Sequence, residues 1–286
     1  MKALLIPNSD KPDALACGAE IARMLHQHGC TPYLNEALTA SFEGTGAVTG
    51  DFYALLKDCD LVIAIGGDGT IIHAAKHALT ADKKILGVNT GRLGFLAQAE
   101  PCELTHLIPR LIAGDYAVEN RVVLSAALCG GSRCYRDFAI NDAVIGKAHS
   151  CNLIELEIYC DDKYMDSYRA DGVIFGTATG STAYSLSAGG PVIDPKLDAI
   201  LLTPICPHSL SARTILFSSD KTIRVRPKVQ GGECSKLALS MDGSPFVALE
   251  PEEYIEITKA PVAARFISFG EKEFFEILSK KIMQRG

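Results

Sequence analysis

Apolar positions follow two rhythms along the chain. In the first, continuous apolar runs at 3–7 and 61–65 lack any polar face, the pattern of strands buried on both sides of a parallel sheet, and 84–88 reads as another strand. Between them lie helical stripes. Leu15, Ala19, Ala22 and Leu25 share one face of a helix predicted over 10–29, which Gly29 closes. Residues 31–34 read as a second strand, 52–57 as a short helix, and 71–79 and 103–112 as further helices. The stretch 36–50, rich in Gly, Thr and Ala with little periodicity, reads as a mobile surface loop. This alternation predicts an α/β domain with a largely parallel sheet over 1–115.

From about Tyr116 the rhythm changes to short β-forming runs separated by turns: 122–128, 135–145, 153–159, 163–168, 173–177, 222–225, 236–240 and 254–258. That texture predicts a mostly β, sandwich-like domain over 116–265. A C-terminal segment, 266–286, carries an amphipathic helix over 274–283 that is expected to return to the first domain.

Composition narrows the function classes. A chain of 286 residues with 48% hydrophobic and 22% charged residues has the material for two packed domains and is not a disordered chain. A net charge of −6 argues against a nucleic-acid coat or an anionic-membrane binder, while leaving room for a nucleotide held by a few amides and cations. The ten cysteines include no Cys-x-x-Cys pair, and Cys17, Cys59 and Cys160 sit in apolar runs, as reduced structural thiols do. The first apolar stretch is too short for a signal peptide, and no apolar run reaches the roughly 18 residues of a membrane span. The expectation is a soluble, cytoplasmic protein.

Chemistry concentrates at three places. Strand 61–65 stops at Gly66-Gly67-Asp68-Gly69-Thr70 and a helix follows. Glycines let backbone approach a ligand, and the helix N-terminus offers free N–H groups to phosphate oxygens, so Gly66, Gly67, Gly69 and Thr70 are candidate donor-phosphate contacts. An acid there would repel phosphate. Asp68 therefore either caps the helix or accepts a proton from, or orients, an attacking hydroxyl. Neither a Walker A lysine nor a G-x-G-x-x-G dinucleotide turn is present. The second place is 171–187, where Asp171 opens a strand leading into a loop dense in Gly, Ser and Thr that suits sugars, amides and phosphates. Tyr184 is placed to stack on a base or close a pocket. The third is Asn141-Asp142, a polar pair interrupting apolar β-formers. Either one of them points inward and needs a partner, or the pair is a polar turn.

Together these stretches are similar to the NAD kinase family. GGDGT at 66–70, Asn141-Asp142, the block 171–191 and Pro207-His208-Ser209-Leu210-Ser211-Ala212-Arg213 occur in that family's order and approximate spacing. GGDGT alone is shared with phosphofructokinases and with diacylglycerol and sphingosine kinases. The block 171–191 and the segment 207–213 are far more specific. The resemblance implies an α/β domain followed by a β-rich one, NAD held between them, and a homodimer or homotetramer in which loops reach a neighbour's dinucleotide. It makes Asp68 the proton acceptor for the ribose 2′-hydroxyl, with Gly69 beside it. Asn141, Asp142, Arg169, Asp171, Thr182, Ala183, Tyr184, Ser185, Leu186, Ser187 and Ser244 are the further NAD contacts. It implies NAD and ATP, or another nucleotide or polyphosphate, as substrates, with magnesium carried by the donor and no resident protein metal site. Three departures stand out: Asp142 where Glu is usual, Ala178 where Pro is usual, and Ser244 where a longer polar residue is usual. The segment 207–213 reads as structural, and His208, His73 and His77 as scaffold histidines. A lipid or sugar kinase of the GGDGT group and a non-catalytic NAD sensor are the alternatives.

Overall fold

The computed structural model describes every residue except 148–152, 210, 231–232, 235–236, 251, 273 and 284–286. The chain divides into two compact units, Met1–Asn120 with Ala264–Gly286, and Arg121–Ala263.

The first unit opens with β1 (Lys2–Pro7), α1 (Pro12–Gln27), β2 (Thr31–Asn35), β3 (Val48–Gly50), α2 (Phe52–Asp58) and β4 (Leu61–Gly66). It continues with α3 (Asp68–Thr80), β5 (Lys84–Asn89), α4 (Leu104–Ala113) and β6 (Ala117–Arg121). Strands β1 to β5 pair in parallel in the order β3-β2-β1-β4-β5. Every residue of β4 is buried, as its uninterrupted apolar run requires. Helix α1 starts on Pro12 with Asp13 in its first turn, where a missing N–H and a negative charge are both tolerated. Its apolar stripe, including Ala14, Ile21, Ala22 and Leu25, is buried.

The stretch 36–50 is not an unstructured loop. Asn35 caps a 3₁₀ turn over Glu36–Phe42 by accepting the Ala37 N–H, and β3 then adds the outer strand of the sheet. Phe42 is the anchor, buried so closely against Gly18 that a Cβ there would lie 3.1 Å from its ring. One aromatic anchor leaves no periodic trace in sequence.

The second unit contains β7 (Leu124–Cys129), β8 (Tyr135–Ala139), β9 (Asp142–Lys147), β10 (Ile154–Cys160), β11 (Lys163–Ala170) and β12 (Gly172–Thr177). The short helix α5 (Tyr184–Ser187) precedes β13 (Ala199–Ile205), β14 (Ile215–Ser218) and β15 (Ile223–Pro227). A two-stranded ribbon, β16 (Val229–Gln230) with β17 (Glu233–Cys234), leads to β18 (Leu237–Met241), β19 (Val247–Ala248) and β20 (Tyr254–Lys259). Two six-stranded antiparallel sheets result, β11-β10-β15-β20-β7-β8 and β14-β13-β12-β9-β18-β19. Their facing apolar positions, among them Leu156, Val225 and Ile255 from one and Ile145, Phe175 and Leu239 from the other, form a single core. The run 135–145 is broken at Ile140-Asn141, so it serves one sheet and then the other. Strands β13 and β14 had no counterpart in the sequence reading, and Lys236 of the 236–240 strand lies outside the described residues.

The chain then returns to the first unit. Strand β21 (Ala264–Ser268) pairs in parallel with β5 and lies between it and β6, and helix α6 (Phe274–Met283) follows. Phe274 stacks on Phe95 at 5.7 Å between ring centroids. No described helix is long and apolar enough to cross a membrane. Eight described cysteines are free thiols. Burial, aided by the charge of Glu20, pushes the Cys17 thiol up to about 11, where it is inert at neutral pH.

Candidate active site

In the parallel sheet, chain order reverses between β1 and β4, and the crevice beyond the carboxyl ends of such a pair is where open α/β sheets bind ligands. Asn8 follows β1 there, and the turn Gly66-Gly67 follows β4. The Asn8 side-chain amide donates to Thr70 Oγ1 at 3.2 Å, closing the two strand ends together. A Cβ on Gly66 would lie 2.6 Å from that oxygen, so a side chain at Gly66 would displace Thr70. At Gly67 and Gly69 a Cβ would meet nothing within 4 Å, which leaves the amides of the α3 N-terminus open from above.

Asp68 does not cap the helix. Gly67 is the N-cap and makes no side-chain capping bond. The Asp68 carboxylate instead reaches across to the segment after β5 and accepts the backbone N–H of Phe95 at 2.9 Å and of Leu96 at 3.2 Å. Gly94 makes the approach possible, because a Cβ there would lie 2.1 Å from Asp68 Oδ1. The same segment is tied down at its start: Asn89 exchanges bonds with the Gly91 backbone, and the Thr90 N–H donates to the Gly66 carbonyl at 3.3 Å. The glycine-punctuated stretch 89–95 is therefore a holder for Asp68, and a carboxylate gripped by two amides presents a fixed direction to any hydroxyl brought to it.

In the second unit the polar pair forms the bend between β8 and β9. Thr177 holds one side of it, its Oγ1 donating to the Ile140 carbonyl at 2.6 Å and its N–H to the Asn141 carbonyl at 2.9 Å. Gly180 donates to that Oγ1 at 2.9 Å and lies so near that a Cβ would be 2.0 Å from the Asn141 oxygen. Asp142 is buried, 6% exposed, and accepts the Tyr184 N–H. Burial above all, then the charge of Asp242, pushes its carboxyl up to about 7. Of the two sequence alternatives, Asn141 belongs to a turn and Asp142 points inward.

The remaining candidates divide by what their side chains already do. The Asp171 carboxylate pairs with Lys147 Nζ at 2.6 Å across β9 and β12. Arg169 is largely exposed, 3.8 Å from Glu155. The Ser185 hydroxyl is fully buried and shared with Thr203 at 2.8 Å, so it braces the loop. Ser244 Oγ accepts the Met241 N–H at 3.1 Å and closes the turn after β18. Tyr184 is exposed, as is Ser187, with Thr182, Ala183 and Leu186 half-buried beside them. In 207–213, Leu210 lies outside the described residues. His77 packs edge-on against Phe52, a scaffold role, and its imidazole is pushed down by burial and by His73. Two groups escaped the sequence reading. The holder amides of Phe95 and Leu96 leave no side-chain signature. Asp242 left one, an Asp-Gly hairpin signal.

A parallel α/β unit with a glycine-lined, acid-bearing helix start at its topological switch point, joined to a two-sheet β unit with its own polar loop cluster, has the features of a phosphate-binding, nucleotide-handling protein. The chain matches the ATP-NAD kinase N-terminal domain over residues 4–116 and the ATP-NAD kinase C-terminal domain over residues 140–269. It is 37% identical over 282 residues to the NAD kinase of Symbiobacterium thermophilum, covering 98% of each chain. It is equally identical over 281 residues to that of Heliobacterium modesticaldum, again covering 98% of each. Among solved structures, yeast NADH kinase complexed with NADH superposes with a TM-score of 0.89 at 25% identity, over 99% of this chain and 87% of that one. An NAD kinase from Archaeoglobus fulgidus in complex with ATP shares the fold, with a TM-score of 0.76 at 23% identity and full coverage of both chains. The chain belongs to the NAD kinase family.

Proposed function

We propose that this protein phosphorylates NAD at the 2′-hydroxyl of its adenosine ribose, with ATP as donor and NADP as product. Family membership over nearly the whole chain supports the reaction. The observation that carries the residue assignment is Asp68, an acid at a phosphate-suited helix start whose carboxylate is oriented by two amides of its own unit. Phosphoryl transfer through a loose transition state depends on positioning and charge neutralisation more than on covalent help. Asp68 aligns the hydroxyl and accepts its proton late. Asn141, Asp142, Arg169, Asp171 and the 182–187 loop hold the dinucleotide, and Gly66, Gly67, Gly69 and Thr70 meet the donor phosphates. Magnesium arrives on the donor phosphates, which supply the hard oxygen ligands it favours. When bound it would neutralise negative charge on the donor phosphates. The working unit is a homodimer or homotetramer in the cytoplasm.

Calorimetry tests the map. Asn141→Ala and Asp171→Ala should each weaken NAD binding while leaving ATP binding within twofold, with melting curves confirming the fold. Unchanged NAD affinity in both variants would contradict the assignment. Mixing Asp68→Asn protein with a variant disabled in the 182–187 loop should restore part of the activity if sites are completed by a second subunit. A fully active monomer in sedimentation would sink that part.

A further inference from the structure

The turn after β18 carries two residues with left-handed backbone, Asp242 at φ +49° and Gly243 at φ +74°, closed by the Ser244 N–H donating to the Met241 carbonyl at 3.0 Å. Such a turn gives Asp242 a fixed direction. Its carboxylate accepts three successive backbone amides of the Asn141-Asp142 bend: Ile140 N–H on Oδ2 at 2.8 Å, and Asn141 and Asp142 N–H on Oδ1 at 2.8 and 3.1 Å. A fourth bond runs from the Asp242 N–H to the Asp142 carbonyl at 2.9 Å. The amides of the bend thus face Asp242, as does the Asp142 carbonyl, while the Ile140 and Asn141 carbonyls face Thr177. Every backbone orientation that aims the two side chains is fixed by one of these two residues.

We propose that Asp242 is a positioning residue for the dinucleotide: it aims Asn141 and Asp142 through three backbone amides, and it places a second carboxylate beside the buried Asp142. The proposal rests on the reading of Asn141 and Asp142 as NAD contacts.

The second half has its own support. Asp142 faces Asp242 from the turn, the Tyr184 amide from α5, and the side-chain-free Gly176 paired with it on β12. Burial and Asp242 both disfavour a second negative charge, so the neutral and charged forms of Asp142 coexist near neutrality. A neutral carboxyl donates a hydrogen bond to an oxygen or ring nitrogen, while the charged form accepts from a hydroxyl. NAD affinity should therefore change with pH across that region. Ser244 adds a reason for the turn to be rigid, since its hydroxyl is spent on the Met241 amide and its carbonyl accepts from Ser240 at 2.6 Å.

Asp242→Asn is the direct test. The amide keeps the shape, but its NH₂ opposes a backbone donor and its charge is gone. The Michaelis constant for NAD should rise about tenfold, the equivalent of losing one hydrogen bond to a charged acceptor. The constant for ATP should stay within twofold, and the midpoint in the pH profile of NAD affinity should move to lower pH. Asp242→Glu, which keeps the charge, should leave that midpoint in place while weakening NAD binding. Carbon-13 NMR of the Asp142 carboxyl in the free protein reads the same coupling without turnover: its titration midpoint should fall in Asp242→Asn. An unmoved carboxyl titration together with NAD affinity within twofold of the parent would overturn the proposal. So would parallel losses in both substrates that track a lower melting temperature. Asn141→Ala is run alongside. If it leaves NAD affinity intact, the site reading fails, and the carboxyl titration still decides the coupling.

Discussion

Gly94→Ala is the sharpest perturbation available at the candidate base, because it leaves Asp68 in place. The added Cβ would stand 2.1 Å from Asp68 Oδ1, 2.7 Å from its carboxyl carbon and 2.9 Å from Oδ2. Ordinary contact requires the two to part by about 1 Å, and the displaced group is the one held by the Phe95 and Leu96 amides. Hydrogen bonds to a charged acceptor contribute roughly 1.5–3 kcal/mol each, and water can replace part of that at a half-buried site, so a stability loss of about 2–4 kcal/mol is expected. A misplacement of about 1 Å in a positioned group costs on the order of 10² in rate. The assay is steady-state turnover of NAD and ATP beside thermal melting. Turnover should fall about a hundredfold, with the Michaelis constant for ATP little changed. Gly91→Ala, whose Cβ would meet only Asn89 Oδ1 at 4.0 Å, should melt like the parent. Gly94→Ala turnover within threefold of the parent would refute the claim that the 94–96 segment holds Asp68 for chemistry.

Asp68→Asn should lose about 10²–10⁴ in turnover while NAD still binds by calorimetry, with a modest stability loss because the new NH₂ faces a backbone donor. Asp142 binds its proton more tightly folded, near 7, than unfolded, near 3.9, so its burial costs stability progressively as pH rises between those values and by a constant amount above. Asp142→Asn should remove that slope, and urea titrations should find it gaining on the parent by a few kcal/mol between pH 5 and pH 8. Thr177→Val breaks the bonds to the Ile140 carbonyl and the Gly180 amide, and should cost about 2–3 kcal/mol with a raised Michaelis constant for NAD. An equal melting temperature would contradict the bracing role.

The parallel sheet was legible because both-face burial writes itself as unbroken apolar runs, and β4 is the plainest case. Its completion by β21 was not, because Ala264–Ser268 follows the whole β unit in sequence and pairing across so long a separation leaves no local mark. The segment 36–50 hid its structure behind one anchoring aromatic, Phe42. At the site, side chains with odd placement were readable: Asp68 at a helix start, Asn141-Asp142 among apolar β-formers. What holds them was not. The grip on Asp68 consists of backbone amides, and the bend at 140–142 is fixed by Asp242, about a hundred residues away. The split of 135–145 into two strands falls at that bend, where the Ile140 and Asn141 amides are spent on a carboxylate and not on a ladder.

The central claim is that this chain moves a phosphoryl group onto one particular hydroxyl. Phosphorus-31 NMR of the product formed from NAD, ATP and magnesium tests it directly, with reduction by an NADP-specific dehydrogenase as a check on the same sample. The account predicts a single new phosphomonoester resonance matching 2′-phosphorylated NAD, formed in step with ADP and about 10²–10⁴ more slowly with Asp68→Asn. No new phosphomonoester with the folded parent, or a phosphate on any other hydroxyl of NAD, would contradict it.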